Sequence, residues 1–208
     1  MEQFATVAAA HFLALLIPGV DFFLIARTAM SSGWRNATGA CLGIACANGM
    51  FIAVAFTGIS LITHPALLEA IQLAGGAFLI SVGVAFLRSR AGTDLEESPQ
   101  AERTTWLKNF GLGLASGLLN PKNALFYISL AAAVSTTQPL SLILYGAWMF
   151  TVVLAWDVFV AVALGSRRAL VRLGRILPWL MRIAGGFLAL FGTGMIMNAL
   201  IHWLSRQG

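Results

Sequence analysis

The chain has 208 residues, of which 59% are hydrophobic and only 10% are charged. A soluble domain usually carries about 25% charged residues, because a wettable surface must cover its core. These values therefore exclude a soluble enzyme, a nucleic-acid-binding domain and a disordered segment. They predict an all-α integral membrane protein in contact with lipid, whose net charge of +5 reflects membrane topology and not a nucleic-acid partner.

Apolar segments follow one another along the chain, each near the roughly 20 residues that cross a bilayer. We predict six membrane-spanning helices, at about residues 4–29, 38–62, 67–87, 106–134, 140–164 and 183–204. The polar stretch at about residues 88–105 contains Gly92 and Pro99 and is predicted to be a loop. The first segment has no basic start and is too long for a typical signal peptide, so we interpret it as a retained helix.

Lysine and arginine residues cluster in alternate connections between these segments. The connections after the first, third and fifth segments carry most of them: Arg27, Arg35, Arg88, Arg90, Arg103, Lys108, Arg167, Arg168, Arg172, Arg175 and Arg182. Residues 63–66 and 135–139 contain none. Because basic connections remain on the cytoplasmic side, the pattern predicts a cytoplasmic loop at 88–105 and both termini outside.

Features of the first half of the chain recur in the second. Pro18-Gly19 interrupts the first segment and Asn120-Pro121 the fourth, while Gly75-Gly76 lies in the third and Gly185-Gly186 in the sixth. Three spans in each half is an odd number, so the second half enters the membrane from the opposite side. The sequence therefore predicts one transmembrane domain over residues 1–208, built from inverted three-helix repeats at about 1–90 and 106–208.

Broken helices in inverted repeats are typical of secondary transporters, whose substrate sites lie near the bilayer midplane. Pro18 and Pro121 lack a backbone N–H, so the carbonyls of Ala14 and Gly117 lose their helical donors and should face a wet cavity or a polar neighbour. The alternative is a pair of packing kinks without a role in transport. Other small residues predict close helix contacts: Gly39, Gly43, Gly113, Gly117, Gly192 and Gly194.

Only Asp21, Lys122 and Asp157 lie deep inside the predicted spans. Each costs about 2.5–3.5 kcal/mol to insert, so they should face one another or a water-filled interior. A site for a zwitterion is one interpretation: Lys122 and Asn120 would hold a carboxylate, and either aspartate would hold an ammonium group or carry a proton. The alternative is a structural ion pair between Lys122 and one aspartate.

The remaining reactive side chains suggest no further chemistry. Cys41 and Cys46 are five residues apart on different faces of one helix, so we expect no local disulfide. His11 lies inside the first segment and is expected to be packed or hydrogen-bonded and not to face a pathway. No metal-ligand spacing and no Gly-x-x-x-x-Gly-Lys run occurs, so we predict no metal, no cofactor and no ATPase activity.

The motifs resemble those of one family. Residues 17–23 (IPGVDFF) resemble the PGPDF signature of the LysE/RhtB superfamily of amino-acid exporters, and residues 118–126 (LLNPKNALF) resemble its NPK signature. The two Gly-Gly runs are similar to its third- and sixth-helix motifs. The resemblance covers essentially the whole chain and is nearest to the threonine and homoserine efflux branch. Val20 replaces the second proline of the motif, which is expected to soften the first break and alter substrate preference.

The resemblance implies a secondary-active exporter, and not an enzyme, that moves a small amino acid such as threonine or homoserine across the bacterial inner membrane in exchange for protons. The expected substrate-binding residues are Pro18, Gly19, Asp21, Asn120, Pro121 and Lys122. Asp157 is the candidate for proton coupling, on its burial alone.

Other functions stay open at this point. They are export of another amino acid (basic, branched or cysteine-like), export of a cation, a membrane thiol-disulfide carrier using Cys41 and Cys46, and a structural or signalling subunit without solute flux. The oligomeric state is also open, and a homo-oligomer is one arrangement that the sequence allows.

Overall fold

The computed structural model of the protein describes residues 2–16, 18–61, 64–88, 104–135, 137–164 and 167–205. Within these ranges the chain is folded into α-helices without a β-strand, which confirms the predicted all-α class. The helices are α1 (Glu2–Leu15), α2 (Val20–Ser32), α3 (Trp34–Leu61), α4 (Pro65–Arg88), α5 (Trp106–Leu119), α6 (Pro121–Ala133), α7 (Pro139–Ala163) and α8 (Arg167–Ser205).

Four of these helices contain a stretch long and apolar enough to cross a membrane. The stretches are Trp34–Ile59, Ala66–Ala85, Pro139–Ala163 and Pro178–Ser205. The pair α1 and α2 gives a fifth if both parts belong to one span, with a bend of 53° at the break. The helices α5 and α6 have only 14 and 13 residues, and each alone is too short for the roughly 20 residues of a crossing.

The first and fourth predicted segments are each divided into two helices. The first break falls between Leu15 and Val20, around Pro18-Gly19, and the second falls at Asn120. Gly19 is the N-cap of α2, and Asn120 caps α6, whose first turn contains a proline. Proline is tolerated there because the first turn of a helix has no intrahelical acceptor for its N–H. The interruptions thus lie where the sequence places them.

The start of the last helix differs from the prediction. Residues 165–182 are expected to form a connection, yet α8 already begins at Arg167 and continues through Pro178. Leucine and arginine are good helix formers, so the helix extends beyond its apolar part, and the basic residues do not mark its end. Most of the predicted loop at 88–105 lies outside the described residues, apart from Arg88 in α4 and the two threonines before α5.

Helices α3 and α5 are parallel and in backbone contact. A Cβ atom added at Gly39 would collide with the carbonyl of Trp106, and one added at Gly43 would collide with that of Phe110. Gly113 lies in the same way against Ala40. The predicted close contacts at these glycines are confirmed, as is that at Gly117, where a Cβ would lie 2.5 Å from the methyl group of Ala47.

Helices α4 and α8 are antiparallel and use glycine in the same way. A Cβ at Gly76 would lie 2.7 Å from the carbonyl oxygen of Gly192, and one at Gly83 would lie 2.5 Å from that of Gly185. The predicted contact at Gly192 is therefore confirmed. The one at Gly194 is wrong, because within the described ranges nothing lies within 4 Å of a Cβ there. Residues two apart on a helix point to different faces, so Gly192 and Gly194 cannot contact the same neighbour.

The buried apolar residues form two clusters. The larger packs parts of α1, α3, α4, α6, α7 and α8 around residues such as Leu79, Leu130 and Leu188. The smaller joins α2 to the start of α3 and the end of α7 through Ile25 and Ile44. Members of both clusters line one internal cavity, so the cavity lies where the two packing units meet.

Candidate functional site

The cavity is partly open and is lined by residues from seven of the eight described helices, every one except α5. Its volume is about 70 Å³, which is room for about five water molecules. Much of its wall is aromatic and aliphatic, and the polar side chains in it are His11, Asp21, Asn48, Lys122, Asn123, Tyr127 and Asp157. The structure thus brings together all three deep charges singled out in the sequence.

Asp21 lies in the first turn of α2, directly after the first break. Its Oδ1 accepts a hydrogen bond of 2.6 Å from the hydroxyl of Ser116. Its Oδ2 accepts one of 3.0 Å from the amide of Asn123 and a longer one of 3.4 Å from that of Asn120. Charge-assisted hydrogen bonds are among the stronger ones in proteins. This single carboxylate therefore links α2 to both sides of the second break.

The second break is built by a small polar network. The side-chain oxygen of Asn120 accepts a hydrogen bond of 3.1 Å from the backbone N–H of Lys122 and so caps α6. The carbonyl of Gly117, which Pro121 deprives of a helical donor, accepts bonds from the Asn120 N–H at 3.4 Å and from the Asn123 amide at 3.5 Å. This carbonyl has the polar neighbours that the sequence predicts for it.

The ammonium group of Lys122 reaches across the cavity to the first break. A Cβ atom placed on Gly19 would lie 3.3 Å from its Nζ. Asp21 is near enough to attract it electrostatically, yet among the described residues no ion pair joins Lys122 to a carboxylate. The alternative interpretation, a structural ion pair of Lys122 with one aspartate, is therefore not observed among these residues, and the ammonium group lies between the ends of two broken helices.

Asp157 and His11 form the other polar part of the wall. Asp157 of α7 is only 7% exposed, and its Oδ2 has no hydrogen-bond partner in the part of the chain that the structure describes. His11 of α1 is fully buried, and its Nε2 lies 3.2 Å from the hydroxyl of Tyr127. The first part of the expectation, a packed or hydrogen-bonded histidine, is confirmed. The second part, that His11 faces away from any pathway, is not supported, because the residue lines the cavity.

The predicted site residues take different positions around this cavity. Gly19, Asp21, Lys122 and Asp157 line it. Asn120 reaches it indirectly, through its hydrogen bonds to Asp21 and to the N–H of Lys122.

The other two predicted residues do not contribute side chains that can be placed in the wall. Pro18 is half-buried, and it is not among the residues that line the cavity. Pro121 starts α6, and its side chain lies outside the described part of the structure.

Sequence reasoning missed two donors to Asp21. Ser116 and Asn123 lie four residues before and three residues after Asn120, which places the three on one side of a helical path despite the break. A search for polar residues at helical spacing around the Asn-Pro pair would have found both. Asn48 and Tyr127 carry no comparable signal, because their places in the wall depend on how α3 and α6 pack.

Comparison with known proteins assigns the chain to a family. The sequence profile of the LysE type translocator family matches residues 12–199. The chain belongs to this family. It is an integral membrane protein with several apolar helices. No solved structure matches the chain at a significant level.

Named relatives of this LysE-family chain include the threonine efflux protein of Escherichia coli K12, which is 29% identical over 94% of this chain and 98% of its own length. The threonine efflux protein of Salmonella typhimurium LT2 is 29% identical over 95% of this chain and 99% of its own length. An uncharacterized membrane protein of Escherichia coli K12, YahN, is 26% identical over 86% of this chain and 82% of its own length.

Proposed function

We propose that this LysE-family protein is a secondary-active exporter of a small amino acid, of the threonine or homoserine type, across the bacterial cytoplasmic membrane in exchange for protons. One observation carries the proposal: a single cavity holds the ammonium group of Lys122 and the carboxylate of Asp21, both beside the helix breaks, together with the carboxylate of Asp157 in α7. A zwitterion needs both signs of charge in one small site. The relatives named for threonine efflux support the same class of substrate.

The substrate carboxylate belongs beside Lys122 in this proposal. The helices α2 and α6 both begin at the breaks, and helix N-termini favour anions because their first N–H groups have no intrahelical acceptors. The N-cap of α2 is Gly19, which has no side chain to occupy those groups. Lys122 Nζ adjoins this same turn, so a full positive charge and helix-end donors converge on one place.

We further propose that α1–α2 and α5–α6 each form one crossing, which gives six spans. The directions of packed helices support this arrangement. Besides the parallel pair α3 and α5, Phe4 of α1 contacts Tyr145 of α7, and farther along both helices Phe12 contacts Trp156. These two helices are therefore parallel as well, as the first and fifth of six alternating spans must be.

Antiparallel pairs agree with the same alternation. Gln72 of α4 donates to the carbonyl of Ala132 in α6, while Gly75, later in α4, lies against Ser129, earlier in α6. The third and fourth spans thus run in opposite directions, as do the third and sixth through α4 and α8. Alternation with three spans in each half supports inverted repeats at about residues 1–90 and 106–208.

A transport assay tests the proposed function. Respiring everted membrane vesicles are acidic inside and expose the cytoplasmic face, so an exporter that exchanges its substrate for protons accumulates labelled threonine. We expect uptake to collapse with a protonophore and to fall at least about tenfold in Lys122→Ala, the loss of one charge-assisted contact of about 1.4 kcal/mol or more. Lys108→Ala is the matched control, because this side chain is exposed at the start of α5.

The same vesicles separate the alternatives. A panel of basic, branched and sulfur-containing amino acids identifies the substrate, and competition by a cation would indicate cation export. A thiol-disulfide carrier is disfavoured by the structure, since Cys41 and Cys46 are both free and lie about 7.5 Å apart along one helix. Threonine uptake that ignores both the protonophore and Lys122→Ala would refute the mechanism, and no flux of any solute would indicate a structural subunit.

A further inference from the structure

The two carboxylates of the cavity differ in what they can still bind. Asp21 accepts hydrogen bonds on both oxygens, from Ser116, Asn123 and Asn120. Asp157 is equally part of the wall but is 7% exposed, and its Oδ2 has no donor in the described ranges. Asp21 is occupied by the protein itself. Asp157 is the acidic group with a bonding position left for an incoming cation.

The charges around Asp157 leave that position without a counter-ion. The titratable groups that face it are His11 of α1, Asp21 of α2, Cys41 of α3, and Lys122 and Tyr127 of α6. From α4 and α8 the wall is apolar, through Phe78, Val82 and Leu188. Lys122 is the one cation in this set; it is attracted to Asp21 and forms no ion pair with Asp157.

An ionised carboxylate in such a place is expensive. Taking an ion out of water without a partner costs several kcal/mol even after the protein relaxes, and Asp21, which carries the same charge, adds repulsion. A positive group that enters the cavity removes this cost, and so does a proton on Asp157 itself. The oxygen can satisfy only one of these two partners at a time.

We propose that Asp157 binds either a proton or the ammonium group of the substrate, and that this mutual exclusion is the coupling step of the exchange. The inference rests on the proposed function. When the substrate enters from the cytoplasm, one proton leaves Asp157 and one ammonium group takes its place, so the charge of the carboxylate site stays balanced. After release outside, a proton returns to Asp157 and the carrier resets.

The proposal also gives the two aspartates different roles. Asp21 is a positioning residue, which holds the break of the first helix against that of the fourth through its three donors. Asp157 contacts the substrate. The state with no substrate bound and with Asp157 ionised has the highest free energy. The empty carrier therefore returns to the cytoplasmic side only after Asp157 has bound a proton. Tight coupling therefore follows from the burial of Asp157.

Binding measurements on the purified full chain test the competition. The probes are the amino acid that the wild type transports and its 2-hydroxy analogue, in which a hydroxyl replaces the ammonium group. We expect the Kd of the amino acid to weaken by up to about tenfold for each unit of falling pH, with one proton released for each ligand bound in that range, because the ligand displaces the proton. At higher pH, where Asp157 has already lost its proton, we expect a constant Kd and no proton release. The hydroxy analogue, which has no cation to compete, should show no such dependence.

Asp157→Asn then separates the competing explanations. We expect it to weaken amino-acid binding at least tenfold, to abolish the pH dependence and to leave the hydroxy analogue unaffected. Asp157→Glu, which retains the carboxylate, should retain the pH dependence, and thermal unfolding of each variant reports its folding. Wild-type affinity in Asp157→Asn, with exchange that ignores a proton gradient, would show that Asp157 carries protons only and overturn the proposal.

Two outcomes on the wild type keep the test decisive if Asp157→Asn fails to fold. Equal pH dependence for the amino acid and its hydroxy analogue would overturn the competition while leaving amino-acid export intact. Transport of no amino acid at all would instead remove the proposed function, and with it the basis of this inference. The two failures are therefore distinguishable.

Discussion

At the scale of single residues, Gly19 determines how close Lys122 can come to the first break. Its φ of −129° suits any residue, so an alanine there brings no backbone strain. The added Cβ, however, would lie 3.3 Å from Nζ, and the flexible lysine would move away from the turn. We expect Gly19→Ala to weaken substrate affinity about tenfold, or 1.4 kcal/mol, with little change in thermal stability.

A matched control for this variant is Gly58→Ala, because no atom of the described residues lies within 4 Å of a Cβ at Gly58. Substrate titration of both proteins in the transport assay is the measurement. If Gly19→Ala binds as tightly as the control, the lysine does not take its working position at the break.

Ser116 permits a second test at this scale, on the positioning role of Asp21. Ser116→Ala removes the shortest hydrogen bond to the carboxylate, and a hydrogen bond to a charged group contributes about 1.5–3 kcal/mol. We expect a lower midpoint of thermal unfolding in detergent. Ser81→Ala is the comparison, since the hydroxyl of Ser81 donates to the carbonyl of Phe78 in its own helix. Equal midpoints would show that the carboxylate does not hold the breaks together.

At the scale of elements, the sequence predicts what depends on local chemistry. Apolar length locates α3, α4 and α7 to within a few residues, and Pro18 and Pro121 locate the two breaks, because a missing N–H acts within one turn. The start of α8 is not predicted, since charge patterning reports the edge of the membrane and helical propensity continues past it. Which glycine faces a neighbour is predicted only where spacing matches helical periodicity, and Gly194 does not meet that condition.

The contact of α3 with α5 gives a prediction for an element pair. Gly113 lies against the backbone of Ala40, whereas no atom in the described part of the chain lies within 4 Å of a Cβ at Gly111 in the same helix. Overpacking costs about 1–3 kcal/mol, so we expect Gly113→Ala to lower the unfolding midpoint and Gly111→Ala to leave it unchanged or raise it. Unfolding followed by circular dichroism measures both. Equal effects in the two variants would mean that α3 and α5 are not in backbone contact.

At the scale of the whole molecule, the site depends on residues that are far apart in the sequence. The sequence identifies Asp21, Lys122 and Asp157 as charges that are costly to bury, but it does not show which aspartate is free to bind a ligand. That distinction depends on Ser116 and Asn123, which donate hydrogen bonds to Asp21 from another broken helix. Charge alone predicts that a site exists, and packing decides which carboxylate is left for a ligand.

The number of crossings is also a property of the whole molecule, and it depends on whether α5 and α6 cross the membrane together. If they do, the start of α5 and the residue before α7 lie on opposite sides. Lys108 and Gln138 are exposed at these two places. In a background with Cys41→Ser and Cys46→Ser, we expect Lys108→Cys to react with a membrane-impermeant thiol reagent only from the cytoplasmic side and Gln138→Cys only from outside.

The expected sides follow from the charges. Lys108 belongs to the basic group near residues 88–105, while residues 135–139 contain no lysine or arginine, and basic connections stay inside. Labelling of both cysteines from one side would mean that α5 and α6 form a re-entrant hairpin and that the protein has five crossings. Labelling with both sides exchanged would keep six crossings but invert the orientation. Since an exporter must load at the cytoplasmic face, that result would also reverse which end of the cavity opens first.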